Sequence, residues 1–156
     1  MGEKSDNDLA LLKLTNELPI SVGKIQELPM ASGSFRIDET IGETCKVAGW
    51  GLTSFVSENT RPDILQELKL KYMSSDDCNK NYYAISRGIT LTPNQFCSMQ
   101  TSPLIKGTNR GDSGGPYMCR KDNKWKLVGV IKMGDTGVSY FMDVRKYMNW
   151  IWRITL

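Results

Sequence analysis

N-R-G-D-S-G-G-P, residues 109–116, sets Ser113 among glycines, where the backbone can bend tightly enough to present a hydroxyl as a nucleophile. A serine hydroxyl attacks only when a neighbouring base takes its proton, and imidazole is the usual base. The 156 residues contain no histidine. Two unrelated serine sites share this local pattern. As G-x-S-x-G it could be the nucleophile elbow of an α/β-hydrolase, which needs a strand before the serine, a helix after it, and an acid and a histidine downstream. Pro116 and the strand-like Tyr117-Met118-Cys119 follow instead. The other reading is G-D-S-G-G-P, in which the amides of Gly111 and Ser113 point together at a developing oxyanion.

Outward from this turn the pattern is that of an all-β chain. Gly, Pro, Asn and Ser recur about every ten residues between short apolar stretches, as in barrels and sandwiches. L-K-L-K-Y (68–72) alternates apolar Leu68, Leu70 and Tyr72 with Lys69 and Lys71, the period of a half-buried strand. C-K-V-A-G-W (45–50) and W-K-L-V-G-V-I (125–131) are also strand-like, and K-D-N-K joins the latter to P-Y-M-C-R (116–120) as a hairpin turn. Two helices are predicted: a short one capped by Ser75 through D-D-C-N-K-N-Y, and one capped by Asp143 that places Val144, Tyr147, Met148 and Ile151 on one face. D-L-A-L-L-K-L (8–14) has the composition of a helix.

Twenty basic residues against 17 acidic give a net charge of +3, with no block that could follow a phosphate backbone, so nucleic acid is not an expected partner. Cys45, Cys78, Cys97 and Cys119 form no C-x-x-C pair. Disulfides are therefore expected rather than a metal site, and with them an oxidising compartment. No cofactor is expected. The first residues carry neither a signal-peptide core nor a spanning segment, and Asp6 stands where a myristoylation signal wants Ser or Thr. Against the cysteines, this suggests a fragment, a truncated product or a degenerate copy of a secreted polypeptide.

Four segments together resemble the chymotrypsin-like serine endopeptidases of the trypsin family: N-D-L-A-L-L-K-L around Asp8, C-K-V-A-G-W-G at 45–51, G-D-S-G-G-P at 111–116 and Y-M-N-W-I at 147–151. The similarity runs from Asp8 to about Ile151. It implies that residues 8–14 are the last strand of a first β barrel, against their helical composition, and that the second six-stranded Greek-key barrel follows with a C-terminal helix. The implied divisions are 1–30 for the end of the first barrel and the linker, 31–142 for the second barrel and 143–154 for the helix. Asp8 becomes the triad acid, Ser113 the nucleophile, and Gly111 with Ser113 the oxyanion hole. The family's histidine lies upstream of the acid, and its activated N-terminus pairs with the aspartate before the serine, here Asp112. The family positions also select Cys45–Cys119 and Cys78–Cys97 among the three possible pairings, and closing the shorter loop contributes about 3 kcal/mol.

The departures from the family fall at the site. Asn109 replaces a cysteine that normally bridges to the following loop. Lys132 and Met133 stand where Ser and Trp are usual, and Gly107 occupies a pocket floor where trypsin-like enzymes carry an aspartate. Gly107, Lys132, Met133, Gly134 and Ser139 are the expected pocket positions, and Gly107, Gly134 and Ser139 leave it neutral, without an acid to complement a basic side chain. Lys132 is expected to pair with Asp8 rather than act as a base, since a neighbouring carboxylate favours the charged amine.

The resemblance implies a secreted serine endopeptidase acting on a protein or peptide, inactive as an isolated chain because it lacks the histidine. The alternative is a non-catalytic homologue serving as a protein-binding module. Self-association through the face that a first barrel would cover is expected, and a membrane partner is not.

Overall fold

The computed structural model describes residues 6–21, 23–37, 45–57, 59–86, 88–99, 106–135 and 137–156. Among these residues seven strands form one antiparallel sheet: β1 Cys45–Gly49, β2 Gln66–Lys69, β3 Lys71–Met73, β4 Gln95–Met99, β5 Pro116–Lys121, β6 Lys124–Asp135 and β7 Val138–Asp143, in the spatial order β2-β1-β5-β6-β7-β4-β3. The two outermost strands are neighbours in sequence, separated only by Leu70. The Leu70 amide donates to the Cys45 carbonyl at 3.1 Å, and its own carbonyl accepts from the Tyr117 hydroxyl at 3.3 Å. One bent strand therefore pairs with β1 through its first half and with β4 through its second. The sheet curls into a nearly closed barrel, which removes the unpaired edges that an open sheet would expose.

The alternation expected at 68–72 is present, with Leu70 buried, Leu68 and Tyr72 half-buried, and Lys69 and Lys71 exposed. Inside, the Phe96 ring stacks on Phe141 at 5.0 Å and meets Tyr117 edge-on at 5.2 Å. Val47, Val128 and Ile131 pack around these rings. Each fully buried apolar side chain of this size stabilises the fold by about 1.5–3 kcal/mol. The β5–β6 hairpin turns through Asp122 and Asn123, both with positive φ, as a two-residue turn requires when it follows the right-handed twist of its strands.

Among the described residues three short helices decorate the barrel: α1 Ser75–Asn79, α2 Tyr82–Ser86 and α3 Met148–Thr155. Ser74, not Ser75, caps α1 by accepting from the Asp77 amide at 3.1 Å, and the helix ends at Asn79 rather than running through Tyr82. Asp143 does cap the turn that follows it. That turn is a 3-10 turn over Val144–Lys146, and α3 starts only after Tyr147. The predicted face survives this change, because Tyr147 and Ile151 pack on Met142 with Met148 beside them.

Residues 8–14 are neither strand nor helix. Among the described residues no strand runs alongside them to supply ladder hydrogen bonds, and isolated helices this short are marginal in water. The segment is held at its start instead. The Tyr147 hydroxyl donates to Asn7 Oδ1 at 3.0 Å, the Thr92 hydroxyl donates to Asp6 Oδ1 at 2.9 Å, and Leu9 packs against the Met142, Tyr147 and Ile151 cluster.

Candidate active site

The turn carrying Ser113 is built by backbone conformations that glycine adopts without strain. Gly111 has φ +97° and Gly114 φ +85°. Asp112 N donates to Asn109 O at 3.0 Å, Gly115 N to Asp112 O at 2.9 Å, and Gly114 N to Ile131 O at 2.8 Å, which ties the turn to β6. Among the described residues, neither the Gly111 nor the Ser113 amide meets a backbone carbonyl. Both remain available to an anionic oxygen.

Asp112 braces the turn from within. Its Oδ1 accepts from the Gly51 amide at 2.8 Å and its Oδ2 from the Asn109 amide at 2.9 Å. The approach needs glycine, because a β-carbon on Gly51 would lie 2.4–2.5 Å from the carboxylate atoms. Ser113 is exposed, and its Oγ donates to the Lys132 carbonyl at 3.4 Å, long for a hydroxyl hydrogen bond. No side-chain base bonds to it among the described residues.

Asp8 is exposed and forms no ion pair among the described residues, so the expected pairing with Lys132 is not made. Leu9 draws the segment toward α3, and no hydrogen bond links Asp8 to Ser113 among the described residues. Gly107 lines a cavity of about 280 Å³, together with Gly49, Gly51, Leu52, Leu68 and Asp112. Lys132, Met133, Gly134 and Ser139 lie outside this cavity. Ser139 is fully buried and its Oγ accepts from the Thr108 amide at 2.9 Å, while Gly134 packs directly on Thr108. Lys132 is half-buried and Met133 exposed.

The cysteines join as Cys45–Cys119 and Cys78–Cys97. The first links directly opposed residues of β1 and β5, and the second ties α1 to β4. A glycine-bent serine turn, its bracing aspartate and this pair of bridges coincide with a family-wide match: the family model described as Trypsin covers residues 1–151. The chain belongs to the trypsin family.

Two curated relatives show how this trypsin-family chain relates to longer proteins. Over 151 residues it is 38% identical to ovochymase of Halocynthia roretzi, a match that takes in 92% of this chain and 9% of the relative. It is 28% identical over 162 residues to CLIP domain-containing serine protease B8 of Anopheles gambiae, covering 96% of this chain and 39% of the relative. The chain thus spans well under half the length of either. No helix among the described residues is long and apolar enough to cross a membrane.

Asn109 has a role that residue type alone did not announce. Its Nδ2 donates to the Ser54 carbonyl at 2.7 Å and its Oδ1 accepts from the Arg110 amide at 2.8 Å. With the bond from its own amide to Asp112, these hold the wall of the turn where the resemblance would place a disulfide. The signal was the departure itself, a hydrogen-bonding amide in a cysteine's place.

Proposed function

We propose that this chain is the nucleophile-bearing barrel of a serine endopeptidase, equivalent to the second barrel of the family, with residues 8–14 belonging to the first. Ser113 attacks a peptide carbonyl, the amides of Gly111 and Ser113 stabilise the oxyanion, and Asp8 orients an imidazole that is not among these 156 residues. The observation that carries this reading is the turn itself, an exposed hydroxyl between amides with no backbone acceptor, braced by a carboxylate that takes two hydrogen bonds. The two disulfides favour an extracellular setting, and the family implies protein substrates.

A second reading, a non-catalytic module that binds proteins, is favoured by the contact of Gly134 with Thr108, which leaves no room between those backbones for a substrate side chain. Chemical rescue separates the two. Without a base, the chain should turn over peptides about a millionfold more slowly than a complete serine protease. Added imidazole should accelerate labelling of Ser113 by a fluorophosphonate probe, and Ser113→Ala should abolish that labelling. Labelling that imidazole leaves unchanged would favour the binding module. Efficient hydrolysis by the chain alone, lost in Ser113→Ala, would refute the assignment of the base to a missing imidazole.

A further inference from the structure

The turn that presents Ser113 is flanked by a guanidinium that the family resemblance does not assign. Arg61 lies between β1 and β2 in sequence, yet its side chain folds back onto Gly111: a β-carbon built there would meet Arg61 Nη1 at 2.8 Å and Cζ at 3.6 Å. Arg61 is exposed and holds no carboxylate among the described residues. Asp63 follows two residues later and points to solvent. Within the run 106–113 the charges are Lys106, Arg110 and Asp112. Asp112 is turned inward, with both oxygens engaged by backbone amides. Lys132, whose carbonyl meets the Ser113 hydroxyl, adds a further cation to the strand beside the turn.

We propose that Arg61 is a specificity-determining residue of this site and draws an acidic side chain of a substrate or bound peptide to the position beside Gly111. The inference rests on reading Ser113 as the centre of the peptide site. A peptide laid across the turn places one of its residues against the Gly111 face, where Arg61 offers a planar donor fork suited to a carboxylate. The position lies outside the contact between Gly134 and Thr108, so that closure does not block it. Gly107 supplies no acid to compete for the guanidinium.

Binding tests this independently of catalysis. Fluorescein-labelled hexapeptides with two central Glu residues, or with Gln or Lys in their place, are titrated against the 156-residue chain at low ionic strength and followed by anisotropy. The Glu peptide is expected to bind about fivefold more tightly than the Gln peptide, the upper range for one exposed ion pair, and the Lys peptide most weakly. Arg61→Gln should bring the Glu and Gln peptides to near parity without changing the melting temperature, and Arg61→Lys should keep part of the preference. Equal binding of the Glu and Gln peptides, a preference that survives Arg61→Gln, or no binding of any peptide would overturn the proposal. Failure of imidazole-dependent labelling at Ser113 would touch only the catalytic reading, because the anisotropy measurement does not depend on it.

Discussion

Gly134 and Thr108 touch backbone to backbone: a β-carbon on Gly134 would stand 1.7 Å from the Thr108 carbonyl oxygen and 2.3 Å from its hydroxyl. Thr108 cannot retreat easily, because its amide is bonded to the buried Ser139 hydroxyl. Gly134→Ala must therefore displace main chain, and it should destabilise the fold by about 1–3 kcal/mol or more. Urea denaturation would measure this. A change within about 0.5 kcal/mol, the range of an ordinary surface substitution, would mean that the two segments are not packed together in solution.

Asp112→Asn keeps the side-chain shape but turns one acceptor into a donor facing an amide. Either Gly51 N or Asn109 N then loses its partner, at a cost of about 1–3 kcal/mol. The loss should be local. Hydrogen exchange at the Gly51 and Asn109 amides should quicken, while the amides of β7 should change only by the global loss of stability. Unchanged exchange at both positions would show that the carboxylate does not hold the turn.

Tyr117 gives the fold an alkaline limit. Burial pushes its phenol far above the usual value of about 10, despite the hydrogen bond it shares. A group whose pKa is raised by folding contributes stability that is complete below its unfolded pKa and declines as pH rises above it. Stability should therefore fall from about pH 10 upward, since the unfolded chain releases a proton that the core retains. Tyr117→Phe should remove this component and flatten the alkaline decline. At neutral pH the same substitution should cost about 0.5–1.5 kcal/mol, because the Leu70 carbonyl loses its donor at the bend that closes the barrel. An alkaline transition identical in both proteins would assign it to other groups.

The segment before the barrel leaves Leu12 90% exposed, with Leu14, Leu18 and Ile20 each more than half exposed. Such a run of apolar side chains favours association. The chain should sediment as a concentration-dependent mixture, and Leu12→Lys with Leu14→Lys should shift it toward monomer. A clean monomer over a wide concentration range would argue against this surface as a contact.

Much of the barrel was legible because its strands carry local signals. Lys69 and Lys71 mark the outer face of the bent strand, and Asp122-Asn123 marks the β5–β6 hairpin. β4 and β7 were not visible in the same way. All six residues of β7 are buried, so no alternation betrays the strand, and β4 is buried at four of its five positions. The serine turn could be read directly, since glycines at 111 and 114 state their conformational demand. Asp8 could not be placed, because its neighbours Asn7 and Leu9 are positioned by distant contacts with Tyr147 and Met142. Helical composition and family likeness gave opposing answers for residues 8–14, and neither governs a segment that has no neighbouring strand among the described residues.

The bridge between Cys45 and Cys119 closes a loop of 74 positions that holds β2, β3, α1, α2 and β4. A protease that cuts once anywhere between those cysteines converts the protein into two polypeptides without separating them. Cuts between Cys78 and Cys97 are held by the second bridge as well. Cleavage would then be silent on a non-reducing gel and plain after reduction, and a nicked molecule could persist as a two-chain form.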